Sequence, residues 1–165
     1  KKWQYKQEKN AMWYYEMHGL GWNYRADELS CALGLSQAKR LNKNIRERQR
    51  LVKLYEKYLK ENKYLKLPDF SDKRTHAWHL FSIQIDFNKL KKTRGYVMDK
   101  LIKYGIGSQV HYIPLFLQPY YRQKNISKFP GSIEYYNKTL SLPLYIGLNS
   151  EDIKYISMKL LKILK

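Results

Sequence analysis

Apolar residues recur along the chain in two rhythms, and the changes of rhythm mark out the elements. From Glu28 to Lys60, Ala38, Leu41, Ile45, Val52, Tyr55 and Leu59 fall at steps of three, four and seven, laying one stripe along a long helix. Arg40, Lys43, Arg46, Arg48, Arg50, Lys53 and Lys57 cover much of its remaining surface, which predicts a spine leaned against a second body. Asp27 stands where a carboxylate caps such a helix. Asn62 to Thr75, with Pro68 and several charges, reads as a surface loop. Between His79 and Asp86 the period shortens to two, placing Phe81, Ile83 and Ile85 on one face of a half-buried strand. Helical spacing returns from Asn88 to Tyr104, with Leu90, Val97, Leu101 and Tyr104 inward and Gly105 ending the element.

The rest of the chain is shorter-ranged. Gly107 to Tyr112 predicts a second short strand, and Pro114 and Pro119 enforce a loop with at most a helical turn. Ser132 to Thr139 reads as a short helix and Leu140 to Leu144 as an extended segment. Ser150 opens the last helix, with Glu151 and Asp152 favoured in its first turn and Ile153, Ile156, Leu160 and Ile163 on one side. Lys1 to Tyr14 is aromatic and charged without a clean period, an irregular connector. Helices flanking a small, mostly antiparallel sheet define an α+β class, with a connector over 1–27 and a folded body over 28–165.

Composition adjusts this picture only in places. The 165 residues are 44% hydrophobic, enough for one domain with a real core. No apolar run approaches the ~20 residues that span a bilayer. The basic N-terminus is followed by no apolar signal core and lacks a methionine, so it reads as an internal cut. One cysteine, Cys31, excludes an internal disulfide and agrees with a reducing cytoplasm; in an Ala/Leu helix it reads as a small buried hydrophobe. A net charge of +18 with 16 tyrosines and 4 tryptophans suggests a basic module that binds nucleic acid or acidic glycans. Against that, the lysines are spread over nearly every segment, and the abundance of asparagine, isoleucine and tyrosine is what an AT-rich genome produces. Solvated lysine faces are therefore the preferred reading, with nonspecific attraction to polyanions as a consequence.

Candidate chemistry concentrates in few places. Gly19 and Gly21 permit a sharp turn before Asn23 and Arg25, an amide and a planar cationic fork suited to an anion such as phosphate. From spacing alone two readings stay open: an anion site, or Asn23 capping a turn while Arg25 pairs with a surface carboxylate. His111 and Tyr112 offer an imidazole and a phenol at a strand end. His76 and His79 have metal-pair spacing but no third ligand nearby, so no metal site is assigned. No nucleophile triad or phosphate-binding glycine loop is present, and Asp27-Glu28 and Glu151-Asp152 are explained by helix dipoles.

Four segments carry a family resemblance. They are Tyr15-Glu-Met-His-Gly-Leu-Gly-Trp-Asn-Tyr-Arg25, Ala32-Leu-Gly-Leu-Ser-Gln37, Gly105-Ile-Gly-Ser-Gln-Val-His-Tyr-Ile-Pro114 with Leu117-Gln-Pro-Tyr-Tyr121, and Leu140-Ser-Leu-Pro-Leu-Tyr-Ile-Gly-Leu148. In order and spacing they resemble the DegT/DnrJ/EryC1/StrS family of pyridoxal-phosphate-dependent nucleotide-sugar aminotransferases. The likeness is greatest to the UDP-4-amino-4,6-dideoxy-N-acetyl-beta-L-altrosamine transaminase branch of pseudaminic acid biosynthesis. The resemblance implies the small C-terminal domain of a fold-type-I aminotransferase. It implies a cytoplasmic homodimer that moves an amino group from glutamate, through pyridoxal phosphate, to the 4-keto carbon of a UDP-linked 6-deoxy-hexose.

It also implies roles. Asn23 and Arg25 would reach into the partner subunit's active site, where Asn23 helps hold the cofactor phosphate; for Arg25, this role and a structural ion pair stand level. His111 and Tyr112 would line the nucleotide-sugar pocket. Phe116 stands where the family has a histidine, which puts a polar contact there in doubt, and Tyr120 and Tyr121 would pack the loop. No lysine precedes a Gly-Glu-Gly-Gly-like run, and the aspartate for the pyridine nitrogen is absent, so this part supplies no catalytic residue and is expected to be inactive alone. A related regulator or dehydratase that keeps the fold without the lysine is a further alternative.

Overall fold

Asp27 starts the first helix by accepting the Ser30 backbone N–H at 2.8 Å and the Ser30 hydroxyl at 2.7 Å. The computed structural model describes residues 17–22, 24–70, 76–121 and 129–165. In order these form α1 (Glu28–Leu59), β1 (Leu65–Lys66), β2 (Phe81–Ile85), α2 (Phe87–Leu90) and α3 (Arg94–Lys103). Two 3-10 turns (Leu115–Leu117 and Pro119–Tyr121), α4 (Pro130–Lys138), β3 (Thr139–Leu142) and α5 (Ser150–Ile163) follow. The α+β class is as the periodicity predicts. The chain divides into two compact units, 1–38 and 39–165.

Within the first unit the described residues are solvent-exposed. Cys31 is exposed too, which corrects the expectation of a buried hydrophobe: no described residue of this unit covers that face of α1. The connector Lys1–Tyr14 lies outside the described residues.

In the second unit the sheet runs β1-β2-β3, antiparallel throughout. The period-two pattern of β2 sends Phe81, Ile83 and Ile85 into the core, fully buried. They meet Leu51, Tyr55 and Leu59 of α1, Leu140 of β3, and Ile153 and Leu160 of α5 in one hydrophobic cluster. The Tyr55 ring stacks on Phe81 with centroids 4.5 Å apart. The α1 stripe is thus buried only toward its C-terminal end, whereas Leu41 stays 54% exposed.

Three further expectations are corrected. Asn88 to Tyr104 is two helices, because two caps compete: Asp86 accepts the Lys89 N–H, and Thr93 accepts the Tyr96 N–H. Lys91, in the left-handed region at φ 55°, turns the chain between them. Gly107 to Tyr112 forms no strand; only Gln109 bridges to Ser141, and the Val110 N–H turns to the Gln109 side chain. The loop after Asn62 contains β1, which pairs Leu65 with Ile85. Gly105 ends its helix at φ +73°, as predicted.

Candidate functional site

β3 sends Leu140 and Leu142 into the core, yet its alternating polar residues Thr139 and Ser141 are also buried, Ser141 to 4% exposure. Ser141 is therefore the point where backbone and side chain must both find partners. Its N–H donates to the Gln109 carbonyl at 2.7 Å, and its carbonyl accepts the Gln109 N–H at 3.1 Å. Directly opposite on β2 lies Ser82, and the two hydroxyl oxygens are 2.8 Å apart. Two residues beyond the Gln109 bridge, the His111 Nδ1 lies 2.9 Å from the Ser141 Oγ. The Tyr112 ring meets the imidazole edge-on at 4.6 Å and is otherwise exposed.

His111 forms part of the wall of two cavities. One, of about 730 Å3, is floored by Leu144 and Leu148 and edged by Ser108, Gln109, Tyr145 and Tyr155. The other, of about 490 Å3, lies among Tyr112, Pro114, Phe116, Phe129 and Tyr135. Both volumes fall in the range that holds small ligands. Phe116 stacks on Phe129 at 4.8 Å, and both rings border this smaller cavity. Tyr120 packs edge-on against Tyr121 but remains 89% exposed, so it packs the loop less than expected.

The segment flooring the larger cavity is held from α1. One Arg48 nitrogen, Nη1, donates to the carbonyls of Trp78, His79 and Leu144 at 2.9, 3.1 and 3.2 Å. Tyr55 donates its hydroxyl to the Pro143 carbonyl at 2.8 Å, and burial pushes that phenol above the usual tyrosine range. Gly147, at φ +124°, makes the turn that returns the chain to α5.

The other predicted residues are placed as follows. Asn23 lies outside the described residues. Arg25, in the first unit, is exposed and makes no ion pair or hydrogen bond with another described residue. Its planar fork is a donor set of the kind that suits a phosphate group. Nearby, the Ser30 N–H and then its hydroxyl hold the Asp27 carboxyl below the usual carboxylate range. His76 and His79 are exposed, and His76 accepts the Trp78 N–H at Nδ1, 2.8 Å away. Among the described residues no group of three His, Cys, Asp or Glu side chains is placed to hold a metal. No described helix is long and apolar enough to cross a membrane.

The family resemblance of its segment singles out His111 in the sequence, but not its anchors. Ser82 and Ser141 occupy polar positions of alternating strands, a signal visible in sequence, but their meeting depends on the β2–β3 register. By sequence Arg48 belongs with the solvated cations of α1, and only the convergence of three carbonyls sets it apart.

The sequence model of the DegT/DnrJ/EryC1/StrS aminotransferase family matches residues 3–161. The chain is 36% identical over 148 residues to the spore coat polysaccharide biosynthesis protein SpsC of Bacillus subtilis, covering 87% of this chain and 38% of that protein. It is 30% identical over 158 residues to a UDP-4-amino-4,6-dideoxy-N-acetyl-beta-L-altrosamine transaminase of Campylobacter jejuni, covering 95% of this chain and 42% of the other. The solved structure of Helicobacter pylori PseC, an aminotransferase of pseudaminic acid biosynthesis, superposes with a TM-score of 0.81 at 28% identity, over 94% of this chain and 42% of that one. The chain thus spans about two-fifths of the length of these relatives.

Proposed function

The chain belongs to the DegT/DnrJ/EryC1/StrS aminotransferase family, and on that premise we propose that it is the C-terminal part of a sugar-nucleotide aminotransferase. The whole enzyme would transfer an amino group from glutamate to the 4-keto carbon of a UDP-linked 6-deoxy-hexose, on the route to pseudaminic acid or a related surface polysaccharide. Membership of the family leaves the basic-module alternative without support. The observation that carries the reading is His111: it lies in the segment resembling the family's sugar-pocket segment, on the wall of two cavities. Its Nε2 has no described partner.

Pyridoxal phosphate, when bound, supplies the electron sink of transamination. The Asn23 amide and the Arg25 fork would hold its phosphate across a homodimer interface, in a cytoplasmic enzyme. His111 and Tyr112 would orient the nucleotide sugar through its hydroxyls or phosphate oxygens. The apolar floor of Leu144 and Leu148 would keep water from the sugar's apolar face. This part alone contributes no Schiff-base lysine and would be inactive.

The test is amination by the full-length protein. With pyridoxal phosphate and glutamate it should convert a UDP-linked 4-keto-6-deoxy-hexose to the 4-amino sugar and release 2-oxoglutarate. Failure with every amino donor would overturn the reading. In the same protein Asn23→Ala should remove a hydrogen bond to a charged group, worth about 1.5–3 kcal/mol. Cofactor affinity would then fall by roughly one to two powers of ten.

A further inference from the structure

We propose that the hydroxyls of Ser82 and Ser141 fix the neutral tautomer of His111, placing its proton on Nε2 and making that nitrogen a hydrogen-bond donor at the cavity wall. The pair are positioning residues, acting on a ligand only through the imidazole. The use of that donor rests on the substrate role proposed for His111; the tautomer itself does not.

The argument is a count of protons. Ser82 Oγ, Ser141 Oγ and His111 Nδ1 form a chain with links of 2.8 and 2.9 Å. Each hydroxyl has one proton to donate, and a neutral imidazole has one nitrogen that donates and one that accepts. In one order Ser82 donates to Ser141, and Ser141 donates to Nδ1. Every hydroxyl proton is then used, and the ring proton sits on Nε2. In the reverse order Nδ1 donates to Ser141 and Ser141 donates to Ser82, leaving the proton of the partly buried Ser82 with no acceptor among the described residues. The first order satisfies every proton within the chain, whereas the second makes the half-buried Ser82 hydroxyl depend on solvent for an acceptor, so the first order is preferred. Ser141 is too buried for water to replace either partner.

The backbone holds this chain in register. Ser82 and Ser141 are paired residues of adjacent antiparallel strands, and Gln109 exchanges both backbone hydrogen bonds with Ser141. The imidazole is thus delivered to the Ser141 hydroxyl by a bridge two residues away, while Tyr112 bounds its other side. Which nitrogen of a histidine carries the proton is set by what the other nitrogen meets.

The experiment is nitrogen-15 spectroscopy of the labelled chain about two pH units above the ordinary histidine pKa of ~6.5. The chain has 4 histidines, so the His111 ring signals are identified by their loss in His111→Gln. We expect an accepting, pyridine-type Nδ1 and a protonated, pyrrole-type Nε2 in the wild type. Ser141→Ala should move both signals toward the averaged values of a free imidazole. Ser82→Ala, at the more accessible position, should do so as well, and Ser82→Thr should restore the wild-type pattern. A protonated Nδ1 in the wild type, averaged signals there, or no response to either alanine would overturn the proposal. UDP added to the full-length protein, labelled in the same way, separates the two readings. A shift of the Nε2 signal supports both, whereas a fixed tautomer indifferent to UDP supports this inference and removes the substrate role of His111.

Discussion

Tyr55 does two jobs with one side chain, stacking its ring on Phe81 in the core and giving its hydroxyl to the Pro143 carbonyl beneath the larger cavity. Tyr55→Phe keeps the ring and removes the donor, leaving that carbonyl without it. The expected loss of stability is about 1–3 kcal/mol at neutral pH, read as a lower urea midpoint. Its pH dependence has a definite sign. Burial raises the phenol above its unfolded value of about 10, so the folded state holds a proton that the unfolded state releases. The stabilisation is complete below pH ~10 and is lost as pH rises beyond it. The phenylalanine variant has no such proton, so the gap between the two proteins should narrow between pH 7 and 11. A constant gap would show that the hydroxyl is not held neutral by its surroundings.

At the scale of elements, caps decide where helices begin more sharply than apolar spacing does. α5 opens on a reciprocal box, in which Asn149 Oδ1 accepts the Asp152 N–H at 2.9 Å and Asp152 Oδ2 accepts the Asn149 N–H at 2.8 Å. Behind this start stand Ile153, Ile156, Leu160 and Ile163, all in the core. Asn149→Ala should cost about 1 kcal/mol and lower the melting temperature by roughly 2–4 °C in a chain of this size. A melting temperature within 0.5 °C or so of the wild type would mean that packing alone sets this helix start. The same logic explains α2 and α3, where the caps at Asp86 and Thr93 interrupt a continuous apolar period.

For the chain as a whole, the unusual surface property is apolar exposure as much as charge. Leu20, Trp22 and Tyr24 are 99, 83 and 90% exposed, and Leu29, Leu33 and Leu35 of α1 exceed 60%. Exposed apolar residues so close in sequence are characteristic of surfaces that meet other protein. The chain by itself should therefore self-associate with concentration and brighten a hydrophobic dye, despite the +18 charge that opposes association. Light scattering that reports a monomer at every concentration, with a silent dye, would show these residues to be covered or solvated without consequence.

The sequence by itself determined the elements whose signals are local. The period-two face of Phe81, Ile83 and Ile85, the stripe of α5 and the turn at Gly105 are written in neighbouring residues, and each is found in the structure. The ordered segments from Tyr15 to Leu148 likewise pointed to the family and to His111 before any fold was in view. What only the tertiary structure decided depends on residues distant in the chain. Ser82, Ser141 and His111 meet because β2 and β3 pair in one register and Gln109 bridges to them; a shift of one residue would turn the hydroxyls to the opposite face. Arg48 leaves the solvated face of α1 because three carbonyls, two near residue 78 and one at Leu144, converge on it. Leu41 is exposed although it lies on the apolar stripe, and so is Cys31 although its Ala/Leu surroundings are those of a buried residue. Periodicity records which residues share a face, whereas covering that face requires a second surface that no local pattern contains.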